Sequence, residues 1–325
     1  MKKLFACVLA VMLAVSAAAF AEEAKPEIRV ASLKGPTTMG LVKLMQDDEA
    51  GEAQNDYTFT MEGTADAISP LLIQGELDAA MIPCNLAAVL IGRTEGALEI
   101  AAINTLGVLY VLENGDTIQS VEDLRGKTIF STGQGTTPEY ALDYVLSRNG
   151  IDPDSDVTVE FRSESTEVAS AMLNDAASIA VLPQPFVTSV LMQNENVRVA
   201  LSLTDEWDKV GDGSAMITGV CVVRKAFAEE HPEAVDAFLK EYAASTEYVN
   251  ANPAEAAEWI AELEIVGNAK IAEAAIPACN IVCITGEEMV TKASGYIDAL
   301  YEQNPEAVGG KTADESYFYL AESEG

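Results

Sequence analysis

One construction occurs twice in this chain. A strand-like run from Ile28 to Ser32 leads into Lys34-Gly35-Pro36-Thr37-Thr38, then into a helical pattern with Leu41, Val42, Leu44 and Met45 on one apolar face. A second run, Thr128 to Ser131, leads into Gly133-Gln134-Gly135-Thr136-Thr137-Pro138 and a helix carrying Tyr140, Ala141, Tyr144 and Val145. Downstream, Asp78 to Pro83 opens a helix over Asn85 to Ile91, and Ser178 to Pro183 opens one over Pro185 to Met192. Thr37 to Pro83 and Thr137 to Pro183 both span 46 positions. Two lobes of equivalent build are the simplest reading. Because strand-like and helix-like segments alternate almost from end to end, each lobe is expected to be α/β, a mostly parallel sheet flanked by helices. The chain has 325 residues, more than a single core usually serves.

Two apolar strands, Gly107 to Leu112 and Met216 to Val223, are spaced to carry the chain across to the other lobe and back, and are the expected hinges. They divide the chain into a first lobe, residues 22–108 plus 220–325, and a second lobe, residues 109–219. Beyond Val223 the pattern is helical. His231-Pro232-Glu233 starts a helix reaching about Tyr248, Asn252-Pro253 starts another, and Thr285-Gly286-Glu287-Glu288 has capping-box spacing before a third. These additions are expected to pack on the first lobe, with Ala321 to Gly325 as a frayed end.

The first residues read as a targeting segment. Met1-Lys2-Lys3 is a positive start, Leu4 to Phe20 is an apolar run short for a membrane anchor, and Ala19-Phe20-Ala21 places small residues where a leader peptidase reads. A signal peptide over residues 1–21, cleaved after Ala21, and a periplasmic or other extracytoplasmic destination follow. Cys7 precedes most of the apolar run, so a lipid anchor is not expected. The balance of 19 basic against 52 acidic residues, a formal net charge of −33, excludes nucleic acid as a partner. The remaining cysteines, Cys84, Cys221, Cys279 and Cys283, allow three pairings. Cys279 and Cys283 are the nearest in sequence, but apolar Ile276, Ile281, Val282 and Ile284 around them suit buried thiols equally well. With one histidine and no two close cysteine pairs, no metal site is expected, and no cofactor.

Each threonine pair sits where a strand gives way to a helix, and Pro138 occupies a position where a helix start tolerates proline. Unpaired backbone N–H groups there, with the threonine hydroxyls, can hold an oxygen-rich ligand group; ordinary capping is the plainer alternative. Two such starts at the carboxyl ends of strands, one per lobe, favour a ligand between them. The candidate ligand-binding set is Lys34, Pro36, Thr37, Thr38, Asn85, Gly133, Gln134, Gly135, Thr136, Thr137 and Gln184. Lys34 is the one basic side chain near either loop, and Asn85 and Gln184 follow the two strand-Pro turns.

No catalytic residue is assigned, because the enzyme-like patterns fail on their chemistry. Pro138 stands where a dinucleotide fingerprint needs its third glycine. Gly126-Lys127-Thr128 lacks the upstream glycine of a phosphate loop and enters a strand. In Asp152-x-Asp154-x-Asp156 the turn glycine of a calcium loop is Val157 and its bidentate glutamate is Ser163. His231 precedes a helix-starting proline with no orienting partner.

The segments Lys34 to Gly40, Gln74-Gly75-Glu76-Leu77-Asp78-Ala79-Ala80, Val121-Glu122-Asp123-Leu124-Arg125-Gly126-Lys127, Arg224-Lys225-Ala226-Phe227 and His231 to Val235 occur in an order that resembles a known family. It is that of the substrate-binding proteins of nitrate, sulfonate and taurine type ABC importers, including relatives that bind thiamine-precursor pyrimidines. The resemblance implies a two-lobe type II periplasmic binding protein with two hinge strands, working as a monomer with a membrane permease and its ATPase. It also implies ligand contacts at Pro36, Thr37, Thr38 and at Gly133 to Thr137. The polar cup suits a small organic anion such as a sulfonate or carboxylate, whereas Tyr140, Phe186 and Trp207 are either ring-stacking residues for a heteroaromatic ligand or core. An enzyme on the same scaffold, or a sensor subunit, is the rival.

Overall fold

The computed structural model describes residues 25–174, 178–211 and 213–321. The expected leader, residues 1–21, and all but Ala321 of the expected frayed end lie outside them. Eleven strands are formed among the described residues: β1 (Glu27–Leu33), β2 (Asp56–Glu62), β3 (Ala79–Pro83), β4 (Leu98–Leu106), β5 (Leu109–Asn114), β6 (Thr128–Thr132), β7 (Thr158–Arg162), β8 (Ile179–Pro183), β9 (Val197–Ser202), β10 (Ile217–Arg224) and β11 (Ile281–Ile284). Helices separate most of them, as the alternating pattern requires.

The strands make two sheets, in the orders β11-β4-β10-β3-β1-β2 and β7-β6-β8-β5-β9. Reversed, the second reads β9-β5-β8-β6-β7, which matches β4-β10-β3-β1-β2 strand for strand. β1 runs parallel to β2 and β3, and β6 parallel to β7 and β8. β10 is antiparallel to both β3 and β4, and β5 to both β8 and β9. Each sheet is thus mixed rather than mostly parallel, because the segment that has just crossed from the other lobe enters as an interior antiparallel strand, and in the first sheet β11 adds an antiparallel edge on β4. β3 and β8 read as unbroken apolar runs because central strands are covered on both faces. Each ends on the proline that stops its ladder, Pro83 or Pro183.

Both expected hinge segments lie largely inside sheets, and the passages between lobes are shorter than the strands. β4 ends at Leu106 and β5 begins at Leu109, so Gly107 and Val108 are the whole outward passage; the return runs between Val210 and Ile217. β10 thereby joins the first sheet three residues before the expected boundary at 220. The two passages lie against each other at Gly107, where a Cβ would fall 2.1 Å from Thr204 Oγ1 and 2.9 Å from Met216 Sδ. Only glycine allows that approach.

The helices Pro232–Ala251 and Pro253–Glu262 pack on the first lobe. The last long helix does not keep to it. Gly286–Gln303 lies against the first-lobe helix Cys84–Arg93 and β4, and also against the second-lobe helix Thr137–Arg148. The cause is aromatic: Trp207 stacks on Tyr144 at 3.8 Å between ring centroids and meets Tyr296 of the last helix at 5.5 Å. A continuous apolar cluster therefore joins Ile100 and Ile103 of the first lobe to Val111, Ile129 and Val181 of the second. The four cysteines beyond the leader are free thiols, with Cys84, Cys221 and Cys279 buried and Cys283 half-buried; Cys279 and Cys283 are not bridged.

Candidate functional site

In the second lobe the turn between β6 and the helix Thr137–Arg148 is built by Gly133 and Gly135, both left-handed at φ 74° and 73°. A Cβ on Gly133 would fall 2.5 Å from Thr136 Oγ1 and 2.8 Å from the Pro138 ring. Glycine there lets the turn close on the helix start. Thr136 donates its backbone N–H and its hydroxyl to Gly133 O, at 2.9 and 2.7 Å. The Glu139 carboxylate accepts from the Gly135 N–H. Thr136 is the N-cap residue in extended conformation, exposed, and no side chain caps the helix. A full helix of 12 residues thus presents its positive end with N–H donors left over.

The first lobe departs from this build. Its helical pattern is broken into a single turn, Pro36–Met39, and a separate helix, Val42–Glu49. Thr37 and Thr38 are buried, and both hydroxyls are committed to the end of β1. Thr37 Oγ1 donates to Leu33 O at 2.8 Å, and Thr38 Oγ1 to Ser32 Oγ at 2.9 Å and to Leu33 O. The two threonine pairs share a place in the topology but not a geometry.

Between the lobes lies a cavity of about 440 Å³. Ala65, Asp66, Pro83, Asn85, Leu86 and Thr218 wall it from the first lobe, and Val108, Leu109, Thr136, Thr137, Pro138 and Pro183 from the second and the outward passage. Thr137 Oγ1 donates across it to Asn85 Oδ1 at 3.3 Å. Of the candidate residues, the cavity therefore brings together Asn85, Thr136 and Thr137. Gln184 is buried, and its Oε1 accepts from the Thr188 N–H and hydroxyl at 3.3 and 2.8 Å, an arrangement that caps the helix Phe186–Gln193. Lys34 and Gln134 are exposed and stand outside the cavity wall, as do Pro36, Thr37, Thr38, Gly133 and Gly135. A larger hollow of about 700 Å³, bounded by Leu239, Cys283, Thr285 and Tyr319, lies away from the other lobe and touches no candidate residue.

None of the three rings weighed for ligand stacking lines the cavity. Trp207 is wholly buried, its indole N–H donated to Ser214 Oγ at 3.0 Å. Phe186 packs on the second-lobe core, and the Tyr140 hydroxyl accepts from Asn304 Nδ2 at 3.4 Å. Trp207 is core, because its stacking partners come from two other helices that the sequence does not juxtapose.

Several residues enter that the repeat does not mark. Thr218 lines the cavity with its hydroxyl buried and, among the described residues, unpartnered. Asn104 sits at a bulge of β4, opposite neither Gly219 nor Val220 of β10, with both amide atoms buried and, among the described residues, unpartnered. Polar Asn104-Thr105 closing an apolar strand just before Gly107 was a readable signal. Asp66, in the first turn of the helix Ala65–Gln74, carried no such mark.

The architecture has counterparts among solved structures. An ABC transporter protein from Parabacteroides distasonis superposes with a TM-score of 0.76 at 21% identity, covering 91% of this chain and 99% of that one. The periplasmic aliphatic sulphonate binding protein SsuA from Escherichia coli gives 0.73 at 14%, covering 91% and 92%. The periplasmic nitrate-binding protein NrtA from Synechocystis gives 0.59 at 12%, covering 88% and 82%. No curated protein sequence matches. The chain thus has the two-lobed α/β fold of the periplasmic binding proteins. A family model described as NMT1/THI5 like matches residues 96–256, from just before β4 into the helix Pro253–Glu262.

Proposed function

We propose that this chain is an extracytoplasmic solute-binding protein of a bacterial ABC importer. It captures a small organic solute carrying an oxyanion, of the sulfonate, nitrate or taurine kind, and delivers it to a membrane permease served by a cytoplasmic ATPase. The observation that carries this reading is the cavity of about 440 Å³ walled by both lobes, with Thr137 reaching Asn85 across it. A solute held there touches both walls at once, so its differential affinity favours the closed arrangement. The uncapped start of the helix Thr137–Arg148 suits an oxyanion through its N–H donors and dipole.

The role needs no chemistry beyond binding. His231 stands at a helix start against Phe227, 5.0 Å between centroids, and is not part of the cavity wall. The positive start and apolar run of residues 1–20 support export, with cleavage after Ala21. No helix among the described residues is long and apolar enough to cross a membrane. Native mass spectrometry of the purified protein should reveal a retained or added solute at one per monomer, with compaction in solution scattering. Turnover of the bound solute, or saturable binding without compaction, would overturn the reading.

A further inference from the structure

We propose that the crossing between the lobes is a polar spring: closing the lobes buries hydrogen-bonding groups there without partners, and opening them relieves those groups, so the solute-free protein rests open. The inference rests on the solute-binding role above and adds what returns the molecule to its receptive state. Asn104 Nδ2 and Oδ1, Thr105 Oγ1, Thr204 Oγ1 and Thr218 Oγ1 are five of the eight side-chain nitrogen and oxygen atoms that are buried and unpartnered among the described residues. Asn104 and Thr105 lie near the end of β4, just before the outward passage, and Thr218 stands at the start of β10, just after the return. Thr204 comes from the second lobe and lies against Gly107. The group therefore gathers at the two passages, where any rotation of one lobe on the other must take place.

Inside the lobes the rule is pairing, and they serve as the control. Apart from Asn104 and Thr105, every buried side chain of Ser, Thr, Asn, Gln, Asp or Glu among the described residues has a partner. Ser245, for example, donates to Gly40 O at 2.6 Å and accepts the Leu44 N–H at 3.0 Å. The crossing is too crowded for such a remedy. A Cβ on Gly219 would fall 2.4 Å from Asn104 Oδ1 and 2.7 Å from Thr37 Cγ2, just as one on Gly107 would meet Thr204. The outward passage is also pinned. Asn280, left-handed at φ 46°, donates its amide to Gly107 O and accepts the Leu106 N–H at 3.1 Å, while the Tyr110 hydroxyl donates to Ala278 O at 3.0 Å. With that side fixed, rotation falls on the return passage and lifts Thr204 off Gly107. A buried donor or acceptor without a partner keeps its full desolvation cost, so opening, which lets water reach these atoms, is favoured until a solute bridges the lobes.

The test removes hydroxyls and keeps their shape, in the full mature protein stripped of solute by unfolding and dialysis. Thr105→Val combined with Thr204→Val should shift the ratio of closed to open molecules about tenfold toward closed, read as a smaller radius of gyration in solution scattering, without lowering the melting temperature. Thr204→Val alone, at a half-buried position, should give about threefold and carries the test if the double variant does not fold. Thr188→Val is the control, because its hydroxyl is paired with Gln184 at 2.8 Å: it should lower the melting temperature and leave the scattering unchanged. A solute-free wild type more open than this structure, with Thr105 and Thr204 variants of unchanged radius or lowered melting temperature, overturns the spring and leaves the solute-binding role standing. A solute-free wild type already as compact as this structure overturns both, because a bound solute could then add no compaction.

Discussion

The two lobes share one strand order and differ at the point where the order matters most. Each places a threonine pair at the carboxyl end of its first strand. In the second lobe that pair opens a 12-residue helix, with Thr136 exposed and Thr137 on the cavity. In the first lobe the pair is folded into a single turn whose hydroxyls fasten it to Leu33 and Ser32. A repeated signature therefore specifies topology, while the chemistry diverges with what packs on it. Gly40 shows the cause: a Cβ there would fall 2.8 Å from Thr246 Cγ2 and 2.9 Å from Ile281 Cγ2, both from the C-terminal additions that only the first lobe carries.

The largest expected effect tests whether those additions bind the lobes together. Trp207→Ala removes a wholly buried ring between Tyr144 and Tyr296 and should lower stability by about 3–5 kcal/mol, read from the denaturant midpoint. Hydrogen exchange should rise in both the helix Gly286–Gln303 and the second lobe; a rise confined to the second lobe would mean that the lobes are joined only by their passages.

Next come the carboxylates that anchor each lobe. Asp78 accepts from Arg29 and Arg224 in the first, and Glu113 from Thr117, Ile118 and Arg198 in the second. Burial pushes both carboxyls up, yet these hydrogen bonds outweigh it and hold both below the usual range. A depressed folded pKa contributes stability that is complete above the unfolded value, about 4, and is lost as pH falls through the folded one. Asp78→Asn should lower stability at pH 7 by about 2 kcal/mol, discounted because both arginines are partly in solvent, and should flatten the acid limb of the stability profile. Glu113→Gln should do the same for the second lobe. Unequal flattening would show that one lobe limits acid unfolding.

Asp143 has the opposite sign. Burial, then Glu139 and Asp154, push its carboxyl up to about 7. Folding therefore favours the protonated form, and the contribution fades as pH rises from about 4 through 7. Asp143→Asn should raise the melting temperature at pH 8 by a few degrees and leave it unchanged at pH 4. The smallest effects bear on the threonines. Thr137→Ala should weaken solute binding by about 1 kcal/mol with little loss of stability, whereas Thr37→Ala should lower stability by about 1 kcal/mol and spare affinity. The reverse pattern would restore the two threonine pairs to equivalence.

Much of the architecture was legible because it follows from short-range pattern. Apolar runs ending on Pro83 and Pro183 specify central strands, Pro138 and Pro232 mark helix starts, and the 46-residue spacing relates the lobes. Such signals depend on a few neighbouring residues and the periods of helix and strand. The cavity was half legible: Asn85, Thr136 and Thr137 lie on a repeated motif, and Asp66 and Thr218 do not. Their place follows from which loops the sheets bring opposite one another, and that is fixed by packing between segments far apart in the chain. The same distinction separates Trp207 as a possible ligand-stacking ring from Trp207 as core. The sequence determined by itself that there would be two α/β lobes with helix starts at their strand ends. Tertiary structure decided which start stays open, which hydroxyls are committed and which residues of the two lobes line one cavity, because those depend on contacts between surfaces that no local pattern encodes.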